Sequence, residues 1–165
     1  MRPSAAGVEH PAMDSNASNR SNGARAVQRW VAVMNTGDAG AAAEIVDDEF
    51  VEHANAPFST DEPGLVNGPA HLREATTWLR NQFPDLTMSI EQIAFGDDLV
   101  VVLISSTGTN LGALNGRLPA TGRRFAARQT PWFKVRDGRL AEHWATRDDL
   151  SAMVQLGVVG LPQRV

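Results

Sequence analysis

The side chains of this chain best suited to proton chemistry are concentrated near its end, in Glu142-His143-Trp144 and Arg147-Asp148-Asp149. They follow Asp137-Gly138, the strongest short hairpin signal, because a type I′ turn needs positive φ at both central residues. A plain two-residue turn sets Val135 opposite Leu140, Phe133 opposite Glu142, Pro131 opposite Trp144, Gln129 opposite Thr146 and Ala127 opposite Asp148. Strand side chains alternate with period two. Asp148 then shares a face with Leu140, Trp144 and Thr146, while His143 and Arg147 point the other way. An acid closing an apolar face is a candidate pocket group. The competing reading is a strand-end carboxylate that caps the next helix. Asp149 directly precedes Leu150 and is the better-placed cap, which leaves Asp148 free. His143 reads as turned away from the pocket, at a structural position or a subunit contact.

A second candidate is His53, on the strand Phe50–Asn55. Val51, His53 and Asn55 share one face, and Phe50, Glu52 and Ala54 the other. His53 is either a site group or a satisfied core histidine. His71, in the first turn of a helix, reads as a surface residue. Arg128 and Arg147 come out opposite each other across the hairpin. Like charges there repel, so a carboxylate or a bound anion is expected between them.

Composition narrows the chemistry. The chain has 165 residues, 42% hydrophobic, with a formal net charge of −4. That fits one domain with a sizeable core. No basic stripe appears, which argues against nucleic acid as a partner. There is no cysteine and no tyrosine, so thiolate and phenol chemistry are excluded. Neither the spacing of His10, His53, His71 and His143 nor any glycine-rich loop makes a metal or phosphate motif, and no metal or cofactor is expected. No apolar run is long enough to span a membrane, and Met1–Gly23 lacks the apolar region of a secretory signal. A cytoplasmic location is expected.

The elements that would position these groups follow in order. Residues 1–23, rich in Ser, Asn, Ala and Gly, read as a flexible leader, and 24–165 as a single domain. Val27, Trp30, Val31 and Met34 give a helix stripe, with Gly37 suited to its cap. Trp30 is a core residue that could also face a ligand. A short helix over Ala39–Asp47, the strand Phe50–Asn55 and a loop over Ala56–Gly68 come next. A helix opens at Pro69 and stops at Pro84. Strands follow over Leu86–Phe95, Leu99–Thr109 and Arg123–Val135. The hairpin's second strand and a short helix after Asp149 close the chain. Strands joined by hairpins imply a mainly antiparallel sheet with helices on one side, an α+β fold.

Several local patterns, in this order, resemble the SnoaL-like family of polyketide cyclases, within the nuclear-transport-factor-2-like superfamily. They are Asn35-Thr36-Gly37-Asp38, Phe50-Val51-Glu52-His53, Gly68-Pro69, Phe83-Pro84-Asp85-Leu86, Gly108-Thr109-Asn110, Thr121-Gly122-Arg123, Asp137-Gly138-Arg139-Leu140, Glu142-His143-Trp144 with Asp148, and Gln155-Leu156-Gly157. The resemblance implies a cone-shaped curved sheet with N-terminal helices packed on it, and pairing of two such domains into a homodimer. It implies cofactor-independent ring closure of a hydrophobic polyketide-like carbonyl substrate, as cyclase or isomerase, with an aspartate as acid/base. Asp148 is the matching position. His53 is its candidate partner, and Trp144, Asn55, Gln129, Phe133 and Trp30 are candidate substrate contacts. The family's pocket histidine on the strand before the hairpin is absent here, since Arg123–Val135 contains none. Two alternatives stand beside this reading. One is an epoxide-hydrolase-type activation of water, which needs an arginine on the pocket face. The other is a non-catalytic small-molecule-binding domain.

Overall fold

The computed structural model describes residues 11–54 and 64–160, with side chains from Arg20 onward. Helix α1 spans Pro11–Thr36, and its stripe of Val27, Trp30, Val31 and Met34 is buried. The boundary expected at residue 24 therefore falls inside a helix. Gly23 lies where that helix meets the sheet. A Cβ there would come within 2.7 Å of Val100 Cγ2 and 3.2 Å of Val135 Cγ2, so the missing side chain permits the close approach. At the other end Gly37, at φ 81°, donates its N–H to Val33 O at 2.8 Å, the expected left-handed cap.

Helix α2 (Ala42–Ile45) stops two residues short of the end expected for it, and the chain enters β1 (Val46–Glu52) directly. Strand β2 (Leu65–Val66) pairs antiparallel with β1. It lies inside the expected loop, whose residues 55–63 fall outside the described residues. Helix α3 (Gly68–Gln82) carries Pro69 in its first turn, and β3 (Thr87–Phe95), β4 (Leu99–Thr109), β5 (Arg124–Arg136), β6 (Arg139–Arg147) and α4 (Asp149–Gln155) follow. The sheet order is β2-β1-β6-β5-β4-β3. All neighbours are antiparallel except β1 and β6. The fold is α+β with a mixed, open six-stranded sheet. In β1 the alternation holds, with Phe50, Glu52 and Ala54 buried and Val51 and His53 half-buried.

The hairpin turn has the expected backbone, with Asp137 at φ 50° and Gly138 at φ 78°. Arg136 faces Arg139 and Val135 faces Leu140, but Lys134 then faces Glu142. Ala141 is the extra residue of a β-bulge. Its small side chain is 2% exposed beside Leu140 at 0%, so two successive residues are buried. From there the register differs by one from a plain hairpin. Phe133 faces His143, Trp132 faces Trp144 and Gln129 faces Arg147. A one-residue slip exchanges the two faces of a strand. The face assignments read from the sequence for His143, Trp144 and Arg147 are thus reversed.

Helices α1 and α3 are tied to the sheet's far edge by side chains. Asn35 Oδ1 accepts from Met88 N at 2.6 Å, and Asn35 Nδ2 donates to Met88 O at 2.9 Å. Arg80 donates to Asn35 O at 2.8 Å and Pro84 O at 2.6 Å, placing a cation at the C-terminal ends of both helices. The buried core lies between these helices and the inner face, with Phe133, Ile104, Val102 and Leu72 fully enclosed. Gly23→Val should lower stability by about 1–3 kcal/mol through overpacking. Urea denaturation measures it, and a passive leader at residue 23 would leave the midpoint unchanged.

Candidate functional site

Between α1, α3 and the inner face lies a cavity of about 930 Å³, counting its opening to solvent. Trp30 and Met34 come from α1, and Ala75, Trp78 and Leu79 from α3. Phe83, Leu86, Met88, Phe125, Ala127 and Ala152 complete an apolar wall. The lining suits a small hydrophobic molecule. The polar groups are clustered. Glu52, His71 and His143 form one cluster by their contacts, Ser106 and Gln129 a second beside Arg128, and Arg147, Asp148 and Asp149 a third where β6 runs into α4.

The first cluster is the most constrained. Glu52 is 4% exposed. Its Oε2 lies 2.7 Å from His143 Nδ1 and 3.0 Å from His71 Nε2, and its Oε1 accepts from Ala54 N at 2.7 Å. Burial pushes the carboxyl's pKa up. The charge and hydrogen bond of His143, with the hydrogen bonds from His71 and Ala54, outweigh this and hold it far below the usual carboxylate range. An ionised carboxylate only accepts, so both ring nitrogens facing Glu52 carry hydrogen. His143 is thereby held with Nδ1 protonated. Its ring stacks on Phe133 with centroids 4.7 Å apart, and Trp30 stands 5.8 Å away. Its Nε2 is buried and has no hydrogen-bond partner among the described residues. These three side chains do not converge on a metal position, because the nitrogens facing Glu52 are engaged with the carboxylate itself.

In the second cluster Gln129 Nε2 donates to Ser106 Oγ at 3.1 Å. In the third, Asp148 is exposed and its Oδ1 accepts from Ser151 N at 3.2 Å, so it is the N-cap of α4. Asp149, the expected cap, instead receives Arg147 Nε, 3.3 Å from each carboxylate oxygen. The like charges expected to meet across the hairpin each have a carboxylate, since Arg128 Nε lies 3.3 Å from Glu91 Oε1.

The expected site residues thus separate. Trp30, Gln129 and Asp148 line the cavity. Phe133 sits behind it, fully buried against Trp30 with centroids 5.4 Å apart. Trp144 and His53 are on the opposite face of the sheet, contrary to the pocket positions read for them, because the Ala141 bulge turns Trp144 outward. There His53 stacks on Trp144 at 4.3 Å, Trp144 on Trp132 at 4.5 Å, and His53 Nε2 meets Glu142 Oε2 at 2.9 Å. Asn55 lies outside the described residues. His71, read as a surface residue, is 7% exposed. Glu52 is the site residue that the sequence reading lacks, although its alternation with Phe50 and Ala54 sets a carboxylate on an apolar face.

Comparison with known proteins gives one consistent answer. The sequence profile of the family described as SnoaL-like polyketide cyclase matches residues 24–156. Aklanonic acid methyl ester cyclase DauD of Streptomyces sp. (strain C5) is 30% identical over 133 residues, 79% of each chain. Aklanonic acid methyl ester cyclase DnrD of Streptomyces peucetius is 30% identical over 79% of this chain and 88% of its own. Among solved structures, IdmH from Streptomyces antibioticus superposes with a TM-score of 0.69 at 26% identity, covering 81% of this chain and 97% of that one.

Glu52→Gln should destabilise the protein by about 3 kcal/mol at neutral pH, since it strips the charge from a buried pair. A folded-state pKa held below the unfolded value stabilises above the unfolded value, about 4.3 for glutamate, and that contribution fades as pH falls below it. Urea midpoints of the two proteins should therefore converge in acid. A gap independent of pH would mean that the carboxylate charge is not what matters.

Proposed function

The chain belongs to the SnoaL-like polyketide cyclase family, and from that premise we propose that it closes a ring in a hydrophobic polyketide by acid/base chemistry without a cofactor. One observation carries the reading: a cavity with a mostly apolar wall of aromatic and aliphatic side chains, into which titratable groups are set. A flat polyketide can fill such a space, with Trp30 as a stacking surface and Gln129 as a hydrogen-bonding group. Ring closure by an aldol step removes a proton from a carbon beside one carbonyl and delivers a proton to the oxygen of another. It consumes no water and leaves the mass unchanged. Asp148 is the proposed acid/base group for the part of the substrate nearest the start of α4. The aklanonic acid methyl ester handled by the two Streptomyces relatives is the first substrate to try.

The outer face belongs to the same proposal. The half-buried stack of His53, Trp144 and Trp132 is the surface we assign to a homodimer of a cytoplasmic enzyme. Among the described residues no helix is long and apolar enough to cross a membrane.

A second reading has a specific observation in its favour. Water activation of the epoxide-hydrolase kind needs an arginine among acids in the pocket, and Arg147 lines the cavity with Asp148 and Asp149 beside it. The two reactions part on mass. Incubated with aklanonic acid methyl ester in ¹⁸O water, the protein should give a product isomeric with its substrate and free of ¹⁸O. A product heavier by one labelled water would establish the hydrolase reading instead. Asp148→Asn should lower kcat by about 100-fold, the scale of acid/base contributions. Melting should be little changed, because asparagine caps a helix as well as aspartate. Unaltered turnover would remove Asp148 from the chemistry.

A further inference from the structure

We propose that His143 is a catalytic base of this cavity, accepting the carbon-bound proton on Nε2, with Glu52 as the residue that positions it and His71 as the residue that positions Glu52. The assignment rests on the cyclase reading and deepens it.

Geometry supplies the argument. His143 lines the cavity, and its Nδ1 lies 2.7 Å and 2.9 Å from the two oxygens of Glu52. A carboxylate can only accept, so Nδ1 carries the hydrogen, and whenever the ring is neutral its lone pair sits on Nε2. That nitrogen is buried without a hydrogen-bond partner among the described residues. Leaving such a group unsatisfied costs about 1–3 kcal/mol, and a buried polar atom kept in that state calls for an explanation. Packing and the pairing with Glu52 do not supply one, because they use the ring and Nδ1 and leave Nε2 without a task. A substrate entering against Trp30 would bring the missing partner.

The rest of the cluster fits the task. Phe133 and Trp30 hold the ring plane. Glu52 fixes the tautomer and stabilises the imidazolium that forms, the arrangement of a carboxylate behind a catalytic histidine. His71 Nε2, 3.0 Å from Glu52 Oε2, fixes that carboxylate from the side of α3. Its Nδ1 lies 3.4 Å from Asn67 Nδ2, an amide that can donate to it. The reaction balances with His143 as the base and Asp148 passing the proton on. The C–H bond beside a carbonyl breaks and its proton passes to Nε2. The enolate carbon then bonds to the second carbonyl carbon. The same proton returns from Nε2, by way of the Asp148 carboxylate, to the new alkoxide oxygen, giving a hydroxyl, a neutral imidazole and an ionised Asp148.

Two measurements test the assignment. In ¹⁵N-labelled protein without substrate, long-range ¹H–¹⁵N correlation of the His143 ring should show a protonated Nδ1 and a bare Nε2 near neutral pH. Glu52→Gln should relax that signature toward a mixture of tautomers. With aklanonic acid methyl ester, His143→Gln should lower kcat by about 100-fold or more. Glu52→Gln should lower it by at least about 10-fold, and Glu52→Asp should restore part of the loss, which a merely structural role would not do. A neutral ring protonated on Nε2, a ring protonated on both nitrogens near neutral pH, or full turnover by a folded His143→Gln protein overturns the assignment while leaving the cyclase reading intact. A wild type that does not cyclise the ester removes the premise, and the assignment with it. Should His143→Gln fail to fold, the ring spectrum of the wild type still decides.

Discussion

The Glu52 carboxylate lies beneath two helices, away from water, and must be satisfied by protein groups alone. That requirement constrains three separate elements. β6 must bring His143 inward, α3 must present His71 from its first turn, and the end of β1 must offer the Ala54 N–H. A buried charge missing these partners would cost several kcal/mol. The parallel pairing of β1 with β6, the exception in an otherwise antiparallel sheet, is what makes the contact possible. It sets Glu52 beside His143 in register and joins their backbones through the 2.8 Å bond from His53 N to His143 O.

Around that fixed point the cavity divides its tasks by dielectric. Its walls are largely aromatic and aliphatic side chains, which strengthen each polar contact made against them. A proton moved inside such a space is not readily exchanged with solvent, which suits a reaction whose reactants are one molecule and whose by-products are none. The charged residues Arg147, Asp148 and Asp149 gather at the start of α4, where Asp148 remains exposed.

Much of this was legible in the sequence, and the parts that were not share a cause. The helix stripe of Val27, Trp30, Val31 and Met34, the hairpin turn at Asp137-Gly138 and the alternation in β1 all depend on local periodicity, and each matches the structure. Which imidazole faces inward depends on one extra residue, Ala141. Nothing in Leu140-Ala141-Glu142 announces a bulge, because alanine is at home on either face. Counting from the turn therefore carried His143 out and Trp144 in. His71 was illegible for a different reason. Its partner is 19 residues earlier in the chain, on a strand that the helix covers only in three dimensions. Pairings of that kind leave no periodic trace.

The pair of hydrogen bonds between Asn35 and Met88 also bears on how the molecule behaves in a crowd. An open sheet has two edges, and exposed ladder groups on an edge recruit strands from other chains. At β3 the side-chain amide of Asn35 binds one residue's N–H and C=O much as a neighbouring strand would, and so occupies a docking point that a foreign strand would need. At the other edge the described part of β2 is only Leu65–Val66, too short a template to extend. Growth of the sheet by strand addition is discouraged at both ends. The fold can stay open, as a cavity wall must, without becoming a seed for aggregation.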